Sequence, residues 1–220
     1  MTTLNNAPVA AILDGLLDAD RSWRLDIPGI DSLSTEERQR LMQSKTEYRG
    51  FYGLLKDAPL AVSRETGTLL YMLARSIGAQ TIVEFGTSFG VSTLHLAAAL
   101  RDNGGGRLIT TEFEPSKVTR AKANLVAAGL ADLVEFREGD ALATLADDVP
   151  EAIDMLLLDG AKGLYPDILK LVEGQLRPGA LIIADNADHS PDYLARVRTA
   201  NGGYLSVPFG PDVELSMRVG

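Results

Sequence analysis

Residues Thr81–Leu100 read TIVEFGTSFGVSTLHLAAAL: a short apolar run, a glycine-bearing turn, then an alanine-rich segment. Ile82, Val83 and Phe85 are β-branched or aromatic, the residue types a strand interior favours. Gly86 and Gly90 bracket the turn, where a missing Cβ permits positive φ and lets a ligand come close to the backbone. A helix is expected from about Val91, with free N–H groups and the positive end of its dipole aimed over the turn. By itself this is the strand–turn–helix of any α/β protein, and one detail narrows it. A dinucleotide site needs glycine in the middle of G-x-G-x-x-G so that the backbone can touch a pyrophosphate. Ser88 occupies that place, which argues for a nucleoside ligand without a diphosphate.

The second half of the signal is Arg107–Thr111 (RLITT), another apolar run, which delivers Glu112 at its C-terminal end. An acid after the second strand, a little over twenty residues past the turn, can accept both ribose hydroxyls. The alternative is a surface glutamate heading a helix, since Glu114 and Pro115 follow directly. The place where the strand stops favours Glu112.

The rest of the chain repeats the alternation of strand and helix, the mark of a doubly wound α/β fold with a mostly parallel sheet. Pro115 suits the first turn of a helix ending at Gly129. Strands are expected at Leu133–Phe136, Ile153–Leu158 and Ala180–Ala184, the second nearly all apolar as a central strand should be. Helices are expected at Pro166–Glu173 and Asp192–Arg198. Tyr204–Val207 and Val213–Val219 are joined through Phe209-Gly210-Pro211, too short for a crossover helix, so this last pair must be antiparallel.

N-terminal to Thr81 the pattern is helical. Val9, Ile12, Leu13, Leu16 and Leu17 share one side of a helix over 8–19. Ser34 opens a capping box with Glu37, and that helix is expected to run to about Leu55. Ser63 starts another, ending at Gly78. Seven basic residues between 21 and 56 (Arg21, Arg24, Arg38, Arg40, Lys45, Arg49, Lys56) are nearly balanced by Asp26, Asp31, Glu36, Glu37 and Glu47. They read as a solvated helical face rather than a nucleic-acid patch.

With 220 residues the chain is long enough for one domain with a full core, read here as a helical cover over 1–58 and a main body over 59–220. A net charge of −9 disfavours nonspecific binding to nucleic acid or an anionic membrane. The absence of cysteine excludes disulfides, thiolate catalysis and zinc–cysteine sites. No segment has the length to span a bilayer or the charged start of a secretory signal, so a cytoplasmic protein is expected.

Ligands of such sheets bind beyond the C-terminal strand ends. The fourth strand ends in Asp159, within LLLDGAK, and the fifth in Asp185-Asn186, within IIADN. Two carboxylates and an amide oxygen on neighbouring tips make a hard, all-oxygen set suited to Mg²⁺ or Ca²⁺. Lys162, three residues past Asp159, can reach back over the same place. Singly each residue reads as a loop cap; together they read as a site. A phenol with pKa ~10 is a poor nucleophile at neutral pH. A divalent cation stabilises its phenolate, and a lysine driven towards its neutral form by that cation can take the proton.

VEFGTSFGVST, TTEFEPSK, FREGDAL, LLLDGAK and IIADN, in that order and spacing, resemble the metal-dependent class I O-methyltransferases, which include catechol and caffeoyl-coenzyme A O-methyltransferases and bacterial relatives. The resemblance covers about Pro59–Gly220. It implies a Rossmann-like seven-stranded sheet with an antiparallel last strand, S-adenosylmethionine as donor, a small acceptor with two neighbouring oxygens, and a homodimer as is common among relatives. Carried over by position, Glu84, Gly86 and Ser92 line the methionine end of the donor, Glu112 takes the ribose, and Gly139, Asp140 and Ala141 border the adenine. Val62 leads into the donor pocket, which Asp159 also borders. Asp159, Asp185 and Asn186 match the metal ligands and Lys162 the general base. Ala161 stands where the mammalian catechol enzyme has a tryptophan, so an aromatic wall is missing. His189 reads as a loop residue or a substrate contact, His95 as packing, and Trp23 as an anchor of the N-terminal segment or a wall of the acceptor pocket. The helices before Pro59 are expected to cover the acceptor side rather than the donor. Two other readings stay open: a methyltransferase of a tRNA wobble nucleoside, and a donor-binding protein without turnover.

Overall fold

Strand β1 (Thr81–Phe85) lies in the middle of a seven-stranded sheet in the computed structural model, which describes residues 2–23, 27–210 and 212–220. The other strands are β2 (Arg107–Glu112), β3 (Val134–Glu138), β4 (Ile153–Leu158), β5 (Leu176–Ala184), β6 (Tyr204–Phe209) and β7 (Val213–Arg218), in the order β3-β2-β1-β4-β5-β7-β6. The five strands from β3 to β5 pair in parallel. β7 runs antiparallel to both its neighbours, and for β6 the short link between the two requires it. The chain leaves β1 in one direction to β2 and β3 and returns beside it as β4, so the crevice of the sheet opens between β1 and β4.

Ten α-helices accompany the strands among the described residues. They are α1 (Ala7–Ser22), α2 (Pro28–Asp31), α3 (Thr35–Met42), α4 (Tyr48–Leu54), α5 (Arg64–Ser76), α6 (Val91–Asp102), α7 (Pro115–Ala127), α8 (Ala141–Thr144), α9 (Tyr165–Val172) and α10 (Pro191–Arg198). None is long and apolar enough to cross a membrane. Alternation along the strands sends Ile82, Leu108, Met155, Leu157 and Ile183 into one core with α1, α5, α6 and α7. Val83, Ile109, Leu156, Leu158 and Ile182 enter the other core with α9 and α10. Central strands buried on both faces are nearly all apolar, and in IDMLLL the one polar residue, Asp154, is only half-buried and accepts from the Gln80 and Thr81 N–H groups.

The segment before Pro59 divides in two. Val9, Leu13 and Leu17 of α1 pack into the main core rather than over the crevice. Residues 27–58 instead form a small cluster of their own around Ile30, Phe51, Leu55 and Ala58. The capping box at Ser34 is present, with Glu37 N–H donating to Ser34 Oγ and Ser34 N–H to Glu37 Oε2. The single helix expected from Ser34 to Leu55 is broken between Met42 and Tyr48. Ser44 Oγ accepts from the Glu47 N–H at 3.0 Å, a local side-chain bond that competes with the helix. The Gln43 carbonyl rests against Gly163, where an added Cβ would approach it to 2.3 Å. That contact presses the break onto the loop after β4. Arg24, Asp26 and Pro211, named in the sequence reading, lie outside the described residues.

Candidate active site

The register explains why the candidate residues meet. Phe85 pairs with Thr111 and Leu158, and Leu158 with Ala184. The residues that follow, Glu112, Gly86, Asp159 and Asp185, therefore emerge along one edge. Backbone bonds carry the ladder one step past the strands: Asp159 N–H to Phe85 O at 2.8 Å, Asp185 N–H to Leu158 O at 2.9 Å, and Gly139 N–H to Glu112 O at 2.9 Å. A cavity of about 500 Å³ sits on this edge. Val62, Gly86, Ser92, Glu112, Gly139, Asp140, Ala141, Asp159, Lys162, Asp185 and Asn186 all line it. Its size falls within the usual range of small-molecule sites.

Glu84 does not line it. Its carboxylate is fully buried behind the turn and accepts from Thr93 Oγ1 and Thr110 Oγ1, each at 2.6 Å, while Oε1 has no partner. Burial pushes Glu84 up to about 7, against three hydroxyl contacts that pull the other way. It ties the start of α6 to β2. Gly86 has the positive φ, +101°, expected of the turn, and a second reason besides: an added Cβ would lie 2.5 Å from the Asp159 carbonyl oxygen. Its missing side chain lets β1 and β4 close up.

At the β2 end, Glu112 is held by two backbone donors, Ser88 N–H at 2.9 Å and Glu114 N–H at 3.0 Å. Ser88 adopts φ +48° and donates its hydroxyl to the Pro59 carbonyl. The turn that would touch a phosphate in a dinucleotide site is thus spent on orienting an acid. Burial raises Glu112, opposed by those donors and by Lys117, which itself is lowered by burial. Further along, Asp140 caps α8 through the Leu142 N–H at 3.0 Å.

At the β4 and β5 ends the balance is different. Lys162, 4% exposed, donates from Nζ to Asp159 Oδ1 at 3.0 Å, to Tyr165 Oη at 2.9 Å and to the Asp185 carbonyl at 3.3 Å. Tyr165 in turn donates to the Asp185 carbonyl at 2.8 Å. Burial opposes the lysine's charge, yet the oxygens of Tyr165, Asp159, Tyr52 and Asp185 around it hold it well above the usual lysine range. The neutral form expected for Lys162 beside a cation thus depends on that cation's charge outweighing the acids around the lysine. Asp185 is pushed up to about 7 by burial and then by the facing Asp159 carboxylate, with Lys162 pulling down. Among the described residues no three His, Cys, Asp or Glu side chains converge. A cation here would rest on two carboxylates plus the Asn186 amide. A buried Asp185 carboxylate facing the half-buried Asp159 carboxylate fits a hard divalent ion, whose charge would relieve their repulsion.

The cover supplies what the motifs could not show. Trp23, Tyr48, Phe51 and Tyr52 line the cavity, a set of aromatic surfaces in a site where Ala161 leaves none after β4. Tyr48 and Tyr52, four residues apart on α4, share a helix face, a periodicity that could have flagged them. Tyr48 Oη donates to Asp140 Oδ1 at 3.1 Å and Arg49 pairs with Asp140 Oδ2. The cover therefore latches onto the end expected to border the adenine as well as the Lys162 end, because α4 spans the cavity mouth. Arg38 also lines the cavity, donating to the Ile30 carbonyl at 3.1 Å. Arg38 thus departs from the solvated face expected of its segment, while Arg49 stays exposed as expected even though it pairs with Asp140. His189 Nε2 lies 3.8 Å from Asp188 Oδ2 and does not line the cavity. His95 is buried, with Nδ1 2.8 Å from the Val91 carbonyl, a packing role as its place in α6 suggested.

Residues 83–187 match the family model described as a methyltransferase domain. A catechol O-methyltransferase of Niastella koreensis is 38% identical over 130 residues, 58% of each chain. A protein of Mycolicibacterium vanbaalenii, provisionally named an O-methyltransferase, is 30% identical over 179 residues, 74% of this chain and 76% of that one. Among solved structures, the O-methyltransferase TomG of Streptomyces achromogenes, in complex with SAM, is 28% identical with a TM-score of 0.64, covering 91% of this chain and 99% of that one. The match spans 58%, 61% and 60% of the length of three curated relatives.

Proposed function

Since the chain belongs to the class I O-methyltransferases of the catechol and caffeoyl-coenzyme A type, we propose that it moves the methyl group of S-adenosylmethionine onto an oxygen of a small acceptor with two neighbouring oxygens. The observation that carries this reading is the cavity with Glu112 on one wall and the Asp159–Lys162–Asp185 group on another, under an aromatic cover. Glu112, already oriented by two N–H groups, offers its outer lone pairs to the ribose hydroxyls, and Gly139, Asp140 and Ala141 take the base. Ser92 and the α6 start face the methionine end.

The reaction breaks the sulfur–methyl bond as the oxygen–methyl bond forms, and the acceptor hydroxyl gives up its proton. The main demand on the protein is in-line placement of oxygen, carbon and sulfur, worth several kcal/mol as an orientation effect. A divalent cation on Asp159, Asp185 and Asn186 would stabilise the phenolate. Lys162 serves the proton from Nζ. As the protein stands, all three ammonium hydrogens are committed to Asp159, Tyr165 and the Asp185 carbonyl. To act as the base, Nζ must first give one of these protons to solvent, which engagement of Asp159 by a cation would favour by removing a carboxylate that holds the charged form; only then can it take the acceptor's proton. Tyr52 and its aromatic neighbours exclude water above it.

Incubation with methyl-labelled donor, a panel of catechols and single phenols, and bulk tRNA tests the reading. Label in a catechol, lost with chelator, is the expected result. Label in tRNA alone, or donor binding with no transfer to any acceptor, would overturn it.

A further inference from the structure

Asp212 lies in the link between β6 and β7, beyond the matched methyltransferase segment, and it touches the site from the side. Asn186 Nδ2 donates to Asp212 Oδ2 at 3.2 Å, and the Ala187 N–H donates to the Asp212 carbonyl at 2.8 Å. Asn186 itself sits at φ +48°, a left-handed conformation that few residue types tolerate and asparagine does. From these contacts we infer that Asp212 is a positioning residue for the divalent-cation site, deciding which end of the Asn186 amide faces the cation. The inference rests on the metal reading above.

The two ends of an asparagine amide are nearly the same shape and opposite in polarity. If the N–H₂ end faced Asp159 and Asp185 it would satisfy those carboxylates and close the place to a cation. A carboxylate has lone pairs and no hydrogen to give, so Asp212 claims the N–H₂ end. The amide oxygen is left on the opposite side of the group, free to act as a ligand. The second backbone bond, to Ala187, keeps the hairpin link at a fixed distance from Asn186, so the choice does not depend on a mobile side chain. Partners of this outer kind are known to hold metal ligands in orientation and to change metal affinity about 10–100-fold when lost. The hairpin thereby acquires a purpose: β6 brings the chain to the end of β5 that bears Asp185 and Asn186, and β7 starts there, with Glu214 opposite Ala184.

The test uses the full chain and Mn²⁺ alone, with binding read from water-proton relaxation and folding checked by circular dichroism. Asp212→Ala should weaken Mn²⁺ binding by about 10-fold or more, while Asp212→Asn, whose amide oxygen still accepts but whose N–H₂ end can compete for the Asn186 oxygen, should lose less than the alanine variant. In an Asn186→Asp background there is no N–H₂ end to hold, and two carboxylates face each other. There Asp212→Asn should leave binding unchanged or strengthen it. Equal losses for the alanine and asparagine variants would assign the effect to charge, and an equal loss in the Asn186→Asp background to a mere tether of the hairpin; either overturns the inference while the metal site stands. Wild-type binding with no change in any variant overturns it too. A wild-type protein that takes up no Mn²⁺ removes the metal reading and this inference together. If the alanine variant does not fold, the Asn186→Asp and Asp212→Asn pair carries the test.

Discussion

The β2–β3 and β4–β5 ends of the sheet both present acids to one cavity, and they manage them in different ways. Glu112 and Asp140 are held by N–H groups of their own loops, so their geometry is complete without any ligand. Asp159 and Asp185 face each other with Lys162 as the cation between them, and Asp185 is pushed up to about 7. The first pair is organised by backbone and costs little to keep ready. The second pair stores electrostatic conflict that a bound cation or a developing charge can release. Donor affinity should therefore depend on geometry at one end, and turnover on charge at the other.

The largest effect expected on that division is at Asp185. Chelator should abolish methyl transfer, Mg²⁺ should restore it, and Asp185→Ala should show no recovery at ordinary Mg²⁺, as measured by labelled-donor assays. Full activity in excess chelator, with no metal found in the protein, would collapse the contrast between the two ends. Next is Lys162→Met, for which turnover should fall by about 10²–10⁴, the scale of general acid–base catalysis. Its calorimetric donor affinity should stay unchanged; a matching loss in binding would place Lys162 in the donor site instead. At the other end, Glu112→Ala should weaken donor binding by about 1.5–3 kcal/mol, as for hydrogen bonds to a charged group. Unchanged affinity in the folded variant removes Glu112 from the ribose.

Glu84 lies under the turn and sharpens the comparison in a different way, through pH. Its folded-state value, about 7, exceeds its ordinary value of 4.5 because it is buried. Between those values the folded protein keeps a proton that the unfolded chain has lost. Stability from this group is thus greatest below pH 4.5, declines as pH rises towards 7, and is level above. Glu84→Gln should flatten that part of the melting-temperature profile; an unaltered profile would mean that Glu84 is ionised in its pocket. The smallest effect is expected at the latch. Arg49 and Asp140 form a pair open to solvent on the arginine side, worth about 0–1 kcal/mol. Arg49→Ala should lower donor affinity by no more than that, and a larger loss in calorimetry would make the cover a structural part of the donor end.

How much of this was written in the chain follows from the range of each interaction. Strand interiors, their stops, the capping box at Ser34 and the antiparallel hairpin depend on neighbours within a few residues, and the sequence alone determined them. β1 and β4 begin and end where their apolar runs do. The strand-end position of Glu112, Asp159 and Asp185 was equally legible, because parallel strands of similar length bring their ends to one edge. Tertiary structure decided the rest. The break between α3 and α4, made locally by Ser44, is seated against Gly163, 120 residues from Gln43. Glu84 turned inward because β-strand alternation places it on the side of Thr110 and Thr93, not of the cavity. The charge of Lys162 is set by four groups from three separate segments, which no local pattern counts together. Asp212 reaches Asn186 only because β7 folds back along β5. Local sterics and hydrophobic periodicity act through sequence neighbours, whereas electrostatics and close packing act through space, and the second kind appears only when the chain is folded.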